Sequence, residues 1–274
     1  MPNHKEMAER TTILRVPAGS TIHGLNLEGK DDQDEMGVCI EDLESAFGFS
    51  VFEQYIYRTA TERTGKHDEP SQPGDLDLTI YSLRKFLRLA MQGNPQIVQC
   101  LFVPHKLWVK GNSLGSGLQE LAPLIVSRQA GHRFLGYMES QRQRLLGERG
   151  QKKVNRPELE EKFGYDTKYA MHILRLGFQG VELLTTGRLQ LPLEESARKF
   201  CFSTRVGEVE LQDVLTKAGE LERELKDLID SSPIREKPDV EVIESWMLDR
   251  YLQVWKAMEL KYDSRDLSDS RKSM

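Results

Sequence analysis

Two short apolar runs, at residues 13–16 and 36–40, enclose a polar stretch in which Gly19 and Ser20 come first and an acidic run at residues 31–35 comes second. Both runs have the length and composition of buried strands. Gly19 lets the backbone turn after the first run, and Ser20 is placed to cap a short helix whose free N–H groups would bind an anion. The stretch predicts two strands joined through a phosphate-binding turn.

The acidic run contains two carboxylates, Asp32 and Asp34, at a spacing of two. Side chains i and i+2 of a strand share a face, so these carboxylates would point to the same place. Two hard oxygen ligands beside a phosphate-binding turn are typical of metal-dependent phosphoryl or nucleotidyl transfer. On spacing alone, however, an ordinary solvated acidic loop is the more frequent interpretation.

A third carboxylate, Asp77, lies where the hydrophobic pattern changes from strand-like alternation to helical spacing. Asp75 and Asp77 alternate with apolar residues, as in a strand, and residues 82–92 then carry an apolar stripe of helical period. Gly93 followed by Pro95 ends that helix. Asp77 therefore lies on a strand that leads into a helix, where it could hold a second metal ion and accept the proton of an attacking hydroxyl.

Several motifs together resemble a known family. Gly19-Ser20, Gly24-Leu25 and residues 32–38 resemble the signature of the DNA polymerase β-like nucleotidyltransferases, and more closely that of the RNA-ligase-associated nucleotidyltransferases of bacteria and phages. Residues 82–95, 164–176 and 182–192 fit the same family in the same order, so the resemblance extends from about residue 13 to about residue 235. It implies an α/β (α+β) fold, in which a nucleotidyltransferase-type mixed-sheet domain is followed by an all-helical domain.

The resemblance also implies roles for particular residues. Gly19 and Ser20 would hold the nucleotide phosphates, while Asp32, Asp34 and Asp77 would ligate two Mg²⁺ ions, with Mn²⁺ as an alternative. The chain departs from the family pattern at three positions, where Asp31, Met36 and Gln99 replace the expected serine, arginine and glutamate.

A predicted helix at residues 166–186 supplies positive charge. Lys168, His172 and Arg175 lie at i, i+4 and i+7 and so share one face. For an isolated helix a solvated face is the simpler interpretation, but the family pattern repeats these residues, which implies that they neutralise a bound triphosphate. Asp166, just before the helix, is expected to cap its first turn.

A second basic segment, at residues 139–156, is the best candidate for contact with RNA, although a solvated helix end is equally typical of such a segment. The candidate contacts are Arg142, Arg144, Arg149, Lys152 and Lys153. Weaker site candidates are His23, His132 and Tyr137, and residues 111–117 are predicted to form a flexible loop because they lack the P-loop ending.

Composition limits the alternatives. The 274 residues carry a net charge of −5, which is not typical of a protein that binds nucleic acid over its whole surface. The three cysteines (Cys39, Cys100 and Cys201) lack zinc or disulfide spacing and predict buried free thiols. Neither a signal peptide nor an apolar run long enough for a bilayer is present, so we expect a cytoplasmic protein that does not contact membranes.

The patterns predict a catalytic domain at residues 11–125 and a helical domain at 126–260, with disordered tails at 1–10 and 261–274. Strands are expected at 11–16, 34–40, 51–59 and 75–81, and helices at 82–92, 119–147, 166–186, 208–231 and 239–260. Residues 61–75 are expected to form a mobile connection.

The predicted reaction is transfer of a nucleoside monophosphate from an NTP to a hydroxyl acceptor, with release of pyrophosphate. The family association favours an RNA 3′ end as acceptor, with tRNA as one candidate in RNA repair. Two alternatives are a toxin or regulator that nucleotidylates a Ser, Thr or Tyr hydroxyl of a protein, and a non-enzymatic scaffold with a degenerate site. The intact set Asp32, Asp34 and Asp77 argues against the scaffold.

Overall fold

The computed structural model describes residues 4–27, 29, 31–148 and 156–270, with side chains described up to residue 259. A five-stranded mixed sheet lies in the first part of the chain, in the strand order β3-β4-β2-β1-β5. Its strands are β1 (Thr12–Pro17), β2 (Gln33–Cys39), β3 (Gln54–Arg58), β4 (Leu76–Ser82) and β5 (Lys110–Gly111). Strands β2 and β4 pair in parallel, and the other neighbours are antiparallel.

Helices make up most of the remainder. They are α1 (His4–Arg10), α2 (Gly19–His23), α3 (Leu43–Phe47), α4 (Thr59–Thr64), α5 (Leu83–Met91), α6 (Pro95–Val98), α7 (Ser113–Glu120), α8 (Ala122–Ile125), α9 (Gln129–Leu145), α10 (Pro157–Phe163), α11 (Thr167–Thr186), α12 (Glu195–Arg205), α13 (Leu211–Ser231) and α14 (Val240–Ser270). Two short 3₁₀ segments, Gln99–Phe102 and His105–Leu107, follow α6. Within the described ranges, no helix has both the length and the hydrophobicity of a membrane span.

The register of the sheet determines which side chains meet. Asp34 on β2 lies opposite Asp77 on β4, and Asp77 lies opposite Arg58 on β3. Side chains alternate between the two faces, so these three residues share one face with Met36 and Thr79. A slip of one residue in this pairing would turn the carboxylates to the other face.

The two faces of the sheet are covered differently. The opposite face buries Cys39, Leu78 and Ile80 against α1, through Met7 and Ala8. The face that carries Asp34 and Asp77 is covered over β1 and β2 by α5–α8, and the buried residues of that core include Leu14, Val16, Val38, Phe86, Leu87 and Leu118. Over β3 this face lacks such a cover, and Ile56 is 55% exposed.

A separate helical core lies in the second part of the chain. Helix α11 is at its centre and packs on α9, α12 and α13, and the core residues include Phe134, Ile173, Leu174, Leu183, Leu221 and Leu225. The boundary between domains at residues 125 and 126 stays a prediction.

Helix α14 returns to the first part of the chain. Ile243 and Tyr251 belong to the core around β1 and β2. The Tyr251 hydroxyl donates to Oε1 of the fully buried Glu41 (2.9 Å), and Trp255 Nε1 donates to the Glu41 carbonyl oxygen (2.9 Å). The last helix is therefore anchored to the end of β2.

Several local predictions differ from the structure. Residues 4–10 form α1 instead of a disordered tail because Met7 and Ala8 are buried under the sheet. Helix α14 continues through Ser270, into the other predicted tail, whose residues 271–274 lie outside the described ranges. The predicted loop at 111–117 contains the end of β5 and the start of α7, which the Asn112 side chain caps. The single helix predicted at 119–147 is divided among α7, α8 and α9.

Other predictions are confirmed. The mixed α/β fold matches the expected class, and the predicted strands and helices at 75–92 and 166–186 are present. Asp166 caps α11, since its Oδ1 accepts from the N–H groups of Lys168 and Tyr169 (3.0 Å each). All three cysteines are buried and free.

Candidate active site

Three carboxylates meet on one face of the sheet. Ligand oxygens of Asp32, Asp34 and Asp77 lie within 4.8 Å of one another, and all three residues are partly buried. The pKa of Asp34 is raised to about 6, first by burial and then by the charges of Asp32 and Asp77. Such a cluster of hard oxygen donors, crowded enough to hold protons, fits a divalent cation such as Mg²⁺.

The turn after β1 lies directly against this cluster. Gly19 has φ +62°, and a Cβ atom at this position would lie 2.0 Å from Asp34 Oδ2. Only glycine therefore fits, for both its backbone angle and its lack of a side chain. The backbone N–H of Ala18 donates to the Asp34 carbonyl oxygen (2.8 Å), which ties the turn to β2.

Ser20 does not cap α2, contrary to the prediction. Ala18 occupies the N-cap position and Ser20 lies within the first turn, because the helix begins two residues earlier than a cap at Ser20 would require. The Ser20 hydroxyl is within 3.2 Å of Asp31 Oδ2, to which it donates.

Asp31 holds the loop that precedes the carboxylates. Its Oδ2 accepts from the Leu27 N–H (2.7 Å), and its Oδ1 forms an ion pair with Arg205 Nη2 (3.1 Å). Both side chains of the ion pair are less than a tenth exposed. The pair joins this loop to the end of α12, 174 residues away, and no local sequence pattern indicated it.

Asp77 is held by the neighbouring strand and loop. Arg58 Nε donates to its Oδ2 (3.2 Å), and the Ser71 hydroxyl lies 2.9 Å from both carboxylate oxygens. Arg58 also donates to the His67 carbonyl oxygen and to Ser71 Oγ (2.9 Å each). Arg58 thus fastens the connection between α4 and β4 to the site, and sequence reasoning missed it.

Helix α11 forms the opposite side of the site with Lys168, His172 and Arg175. Burial lowers the pKa of Lys168, and burial lowers the pKa of Arg175 to about 10, so Arg175 stays charged at neutral pH. Burial, together with the charges of Arg175 and Lys168, lowers the pKa of His172 well below its usual 6.5. His172 is therefore neutral at pH 7 and does not add a third positive charge to this face.

His23 belongs to a buried hydrogen-bond network behind this helix. Its Nε2 lies 3.1 Å from Arg175 Nη1, which also donates to Gln179 Oε1 (2.8 Å). Arg175 has only donors, so His23 Nε2 must accept. Burial and the Arg175 charge lower the pKa of His23, in agreement with a neutral ring. His23 is 1% exposed, so it is a core residue that positions Arg175.

One pocket of about 470 Å³ brings together all eight residues assigned to metal or nucleotide binding. They are Gly19, Ser20, Asp32, Asp34, Asp77, Lys168, His172 and Arg175. The same pocket is lined by side chains that the sequence did not single out for the site, among them Ile56, Tyr57, Arg58, Thr79, Tyr81 and Gln96.

Two of the predicted RNA contacts, Arg142 and Arg144, lie outside the lining of this pocket. Arg142 forms an ion pair with Glu222 between α9 and α13, where both side chains are mostly buried, and Arg144 is exposed on α9. Arg149, Lys152 and Lys153 lie outside the described residues. His132 is exposed on α9, and the Tyr137 hydroxyl accepts from Asn94 Nδ2 (3.3 Å).

Sequence comparison identifies the family. The model of the RlaP family, described as the RNA repair pathway DNA polymerase beta family, matches residues 1–249. The chain belongs to this family. It is therefore a nucleotidyltransferase of the DNA polymerase β type, and the resemblance drawn from its motifs is confirmed. No curated protein matches the chain significantly.

Two solved structures are similar to the chain. A nucleotidyltransferase-like protein from Exiguobacterium sibiricum has 10% identity and a TM-score of 0.29, over 84% of this chain and 72% of that chain. Spectinomycin adenyltransferase AAD(9) from Enterococcus faecialis, solved with ATP and spectinomycin, has 13% identity and a TM-score of 0.40, over 81% of this chain and 94% of that chain.

Proposed function

We propose that this RlaP-family protein is a Mg²⁺-dependent enzyme that transfers a nucleoside monophosphate from an NTP to the 3′-hydroxyl of an RNA, releasing pyrophosphate. The observation that carries the proposal is the pocket itself, in which Asp32, Asp34 and Asp77 face the cations of α11 across the Gly19 turn. The RNA acceptor rests on the family description.

The acidic and the basic residues of the pocket would have different roles. Asp32, Asp34 and Asp77 would hold Mg²⁺, which when bound offsets the negative charge that develops on the reacting phosphoryl group. Lys168 and Arg175 would bind the β- and γ-phosphates, and the N–H groups of the Gly19 turn would add neutral donors. His172, being neutral, would contribute a hydrogen bond to the same oxygens.

The chemical step is one substitution at phosphorus. The acceptor oxygen forms a bond to the α-phosphorus, the bond between that phosphorus and the bridging oxygen to the β-phosphate breaks, and pyrophosphate leaves with the electron pair. The hydroxyl proton passes to the carboxylate of Asp77, which Arg58 and Ser71 hold in a fixed orientation.

The test is incubation of the pure protein with Mg²⁺ and each α-³²P-labelled NTP in the presence of RNA oligonucleotides, total tRNA or cell lysate. Label on RNA that depends on Asp32 and Asp34 is the expected result. Asp32→Ala and Asp34→Ala should abolish it, whereas Asp227→Asn, at an exposed site on α13, should not. Label on a protein band would replace the RNA acceptor with a protein hydroxyl, and absence of label with every NTP would overturn the proposal.

A further inference from the structure

We propose that the uncovered part of the sheet face beside Asp77 binds the terminal nucleoside of the acceptor RNA. This acceptor shelf consists of Ile56, Thr79 and Met36, with Gln96 and Gln99 along its edge, and all five residues line the catalytic pocket. The inference rests on the proposed function and adds where the acceptor lies and which residues hold it.

The direction of the reaction places the acceptor on this side. In nucleotidyl transfer the attacking and leaving oxygens lie on opposite sides of the phosphorus. The Gly19 turn lies against Asp34, and Lys168 acts electrostatically on Asp34 and Asp32, so the pyrophosphate leaves over β2 and α2. The attacking oxygen therefore enters over β4 and β3, which come next in the strand order.

The register brings the shelf next to that oxygen. Met36, Thr79 and Ile56 form a row across β2, β4 and β3, two residues beyond the row of Asp34, Asp77 and Arg58. Two residues of a strand span roughly 6.6 Å, and neighbouring strands are about 4.8 Å apart. A hydroxyl at Asp77 thus leaves the rest of its nucleoside lying along the shelf.

The shelf has an unusual apolar exposure for this face of the sheet. Leu14, Val16 and Val38 on the same face are at most 1% exposed, because helices cover them, whereas Ile56 is 55% exposed. An exposed apolar side chain within a polar catalytic pocket offers a surface on which a nucleobase can lie and exclude water.

A pair of amides lies at the edge of the shelf. Gln99 is 3% exposed, and its side chain hydrogen-bonds His23, which raises the pKa of that ring against the larger lowering by burial. Gln96 is exposed and also lines the pocket, so its side-chain amide can pair with a base edge.

A nucleoside fits these features better than a protein hydroxyl. The ends of single-stranded RNA are recognised by flat apolar contact combined with hydrogen bonds to base edges. The shelf offers both kinds of contact in the row of residues next to Asp77. A serine or threonine acceptor would bring no flat face. A tyrosine acceptor would bring a flat face, but its only hydrogen-bonding group is the hydroxyl that reacts.

The first experiment measures binding of an RNA oligonucleotide that ends in a 3′-deoxynucleoside and cannot react. Ile56→Ser should weaken its binding by about fivefold or more, and Ile56→Glu by more than tenfold, because the first removes apolar contact and the second adds repulsion. Ile56→Val should bind as the wild type does. Val109→Glu is the matched control, since Val109 is 51% exposed and lies outside the pocket, and its binding should change by less than twofold.

The second measurement separates this proposal from the proposed function. In transfer assays, Ile56→Ser should raise KM for RNA about fivefold while KM for the NTP changes by less than twofold. Suppose that the wild type labels RNA, and that Ile56→Ser and Ile56→Glu have the wild-type KM for RNA and the wild-type RNA affinity. The assignment of the acceptor to the shelf is then wrong, and the proposed function stands. If the wild type labels protein and not RNA, the nucleoside assignment is wrong. If the wild type binds NTP with Mg²⁺ yet labels nothing, both proposals fail.

Discussion

The two sides of the candidate active site are built in opposite ways. On the sheet side, Asp32, Asp34 and Asp77 converge with their charges facing one another, and the pKa of Asp34 is raised to about 6 as a result of burial and this crowding. On the helix side, Arg175 is held by hydrogen bonds to His23 and Gln179, so its charge is already supported before any ligand arrives.

This difference indicates which side needs the ligand more. Like charges that are crowded together destabilise the folded protein until a cation binds, whereas a hydrogen-bonded cation does not depend on the ligand for its place. We therefore expect a bound cation to stabilise the sheet side of the site. The helix side should keep its geometry whether or not a phosphate is bound.

The largest expected effect is on the sheet side. Asp34→Asn keeps the shape of the side chain but removes the charge, and it should lower the transfer rate by roughly 10³-fold or more, because charge stabilisation by a metal is worth several kcal/mol. The measurement is kcat with labelled NTP and RNA at saturating Mg²⁺. Asp227→Asn, on the exposed face of α13, serves as the matched control.

A change in geometry should come next. Gly19→Ala would place a methyl group 2.0 Å from Asp34 Oδ2 at φ +62°, and we expect about a 10²-fold loss of kcat because displaced catalytic groups react slowly. Gly65 has φ +72° and open space around it, so Gly65→Ala shares the backbone strain without the collision. Equal losses in the two variants would show that strain alone is responsible.

The crowding should also appear as a pH dependence of stability. Since the pKa of Asp34 is raised from 3.8 to about 6 in the folded state, the unfolded chain releases this proton first as pH rises. The contribution of Asp34 to the unfolding free energy of metal-free protein should therefore fall between about pH 4 and 6, by about 2 kcal/mol. Denaturant titrations in EDTA should show this fall in the wild type relative to Asp34→Asn, and parallel curves for the two proteins would refute it.

The smallest of the four effects is expected on the helix side. Lys168→Met would remove the proposed charge-assisted contact to the triphosphate, so KM for the NTP should rise about 10-fold, or about 1.4 kcal/mol, with little change in unfolding free energy. Lys199, an exposed residue on α12, provides the control Lys199→Met. A loss of stability as large as the loss of affinity would mean that Lys168 is a structural residue.

How much the sequence could predict depended on the distance between interacting residues. Alternation along a strand was enough to find Asp34 and Asp77, and helical spacing was enough to find Lys168 and Arg175. Arg205 could not be found in this way, since its ion pair with Asp31 joins positions 174 residues apart. The same limit hid Arg58, whose partner is defined by the register of β3 against β4.

The burial of individual side chains was the second property that the sequence patterns could not predict. Helical spacing alone could not show that His172 would be surrounded by cations and desolvated, and hence neutral. It also could not distinguish a phosphate contact from a core residue at His23, which is 1% exposed. The predicted cap at Ser20 was wrong by two residues, because the helix begins at Gly19 and has Ala18 at its N-cap position.

The contacts of α14 show that the fold includes residues beyond the end of the family match. The family match ends at residue 249, just before Tyr251 and Trp255, whose side chains donate to the buried Glu41. A protein shortened to the matched residues would keep every pocket residue and still leave the Glu41 carboxylate without its phenol donor. The last helix thus contributes buried contacts and hydrogen bonds to the part of the chain that contains the sheet.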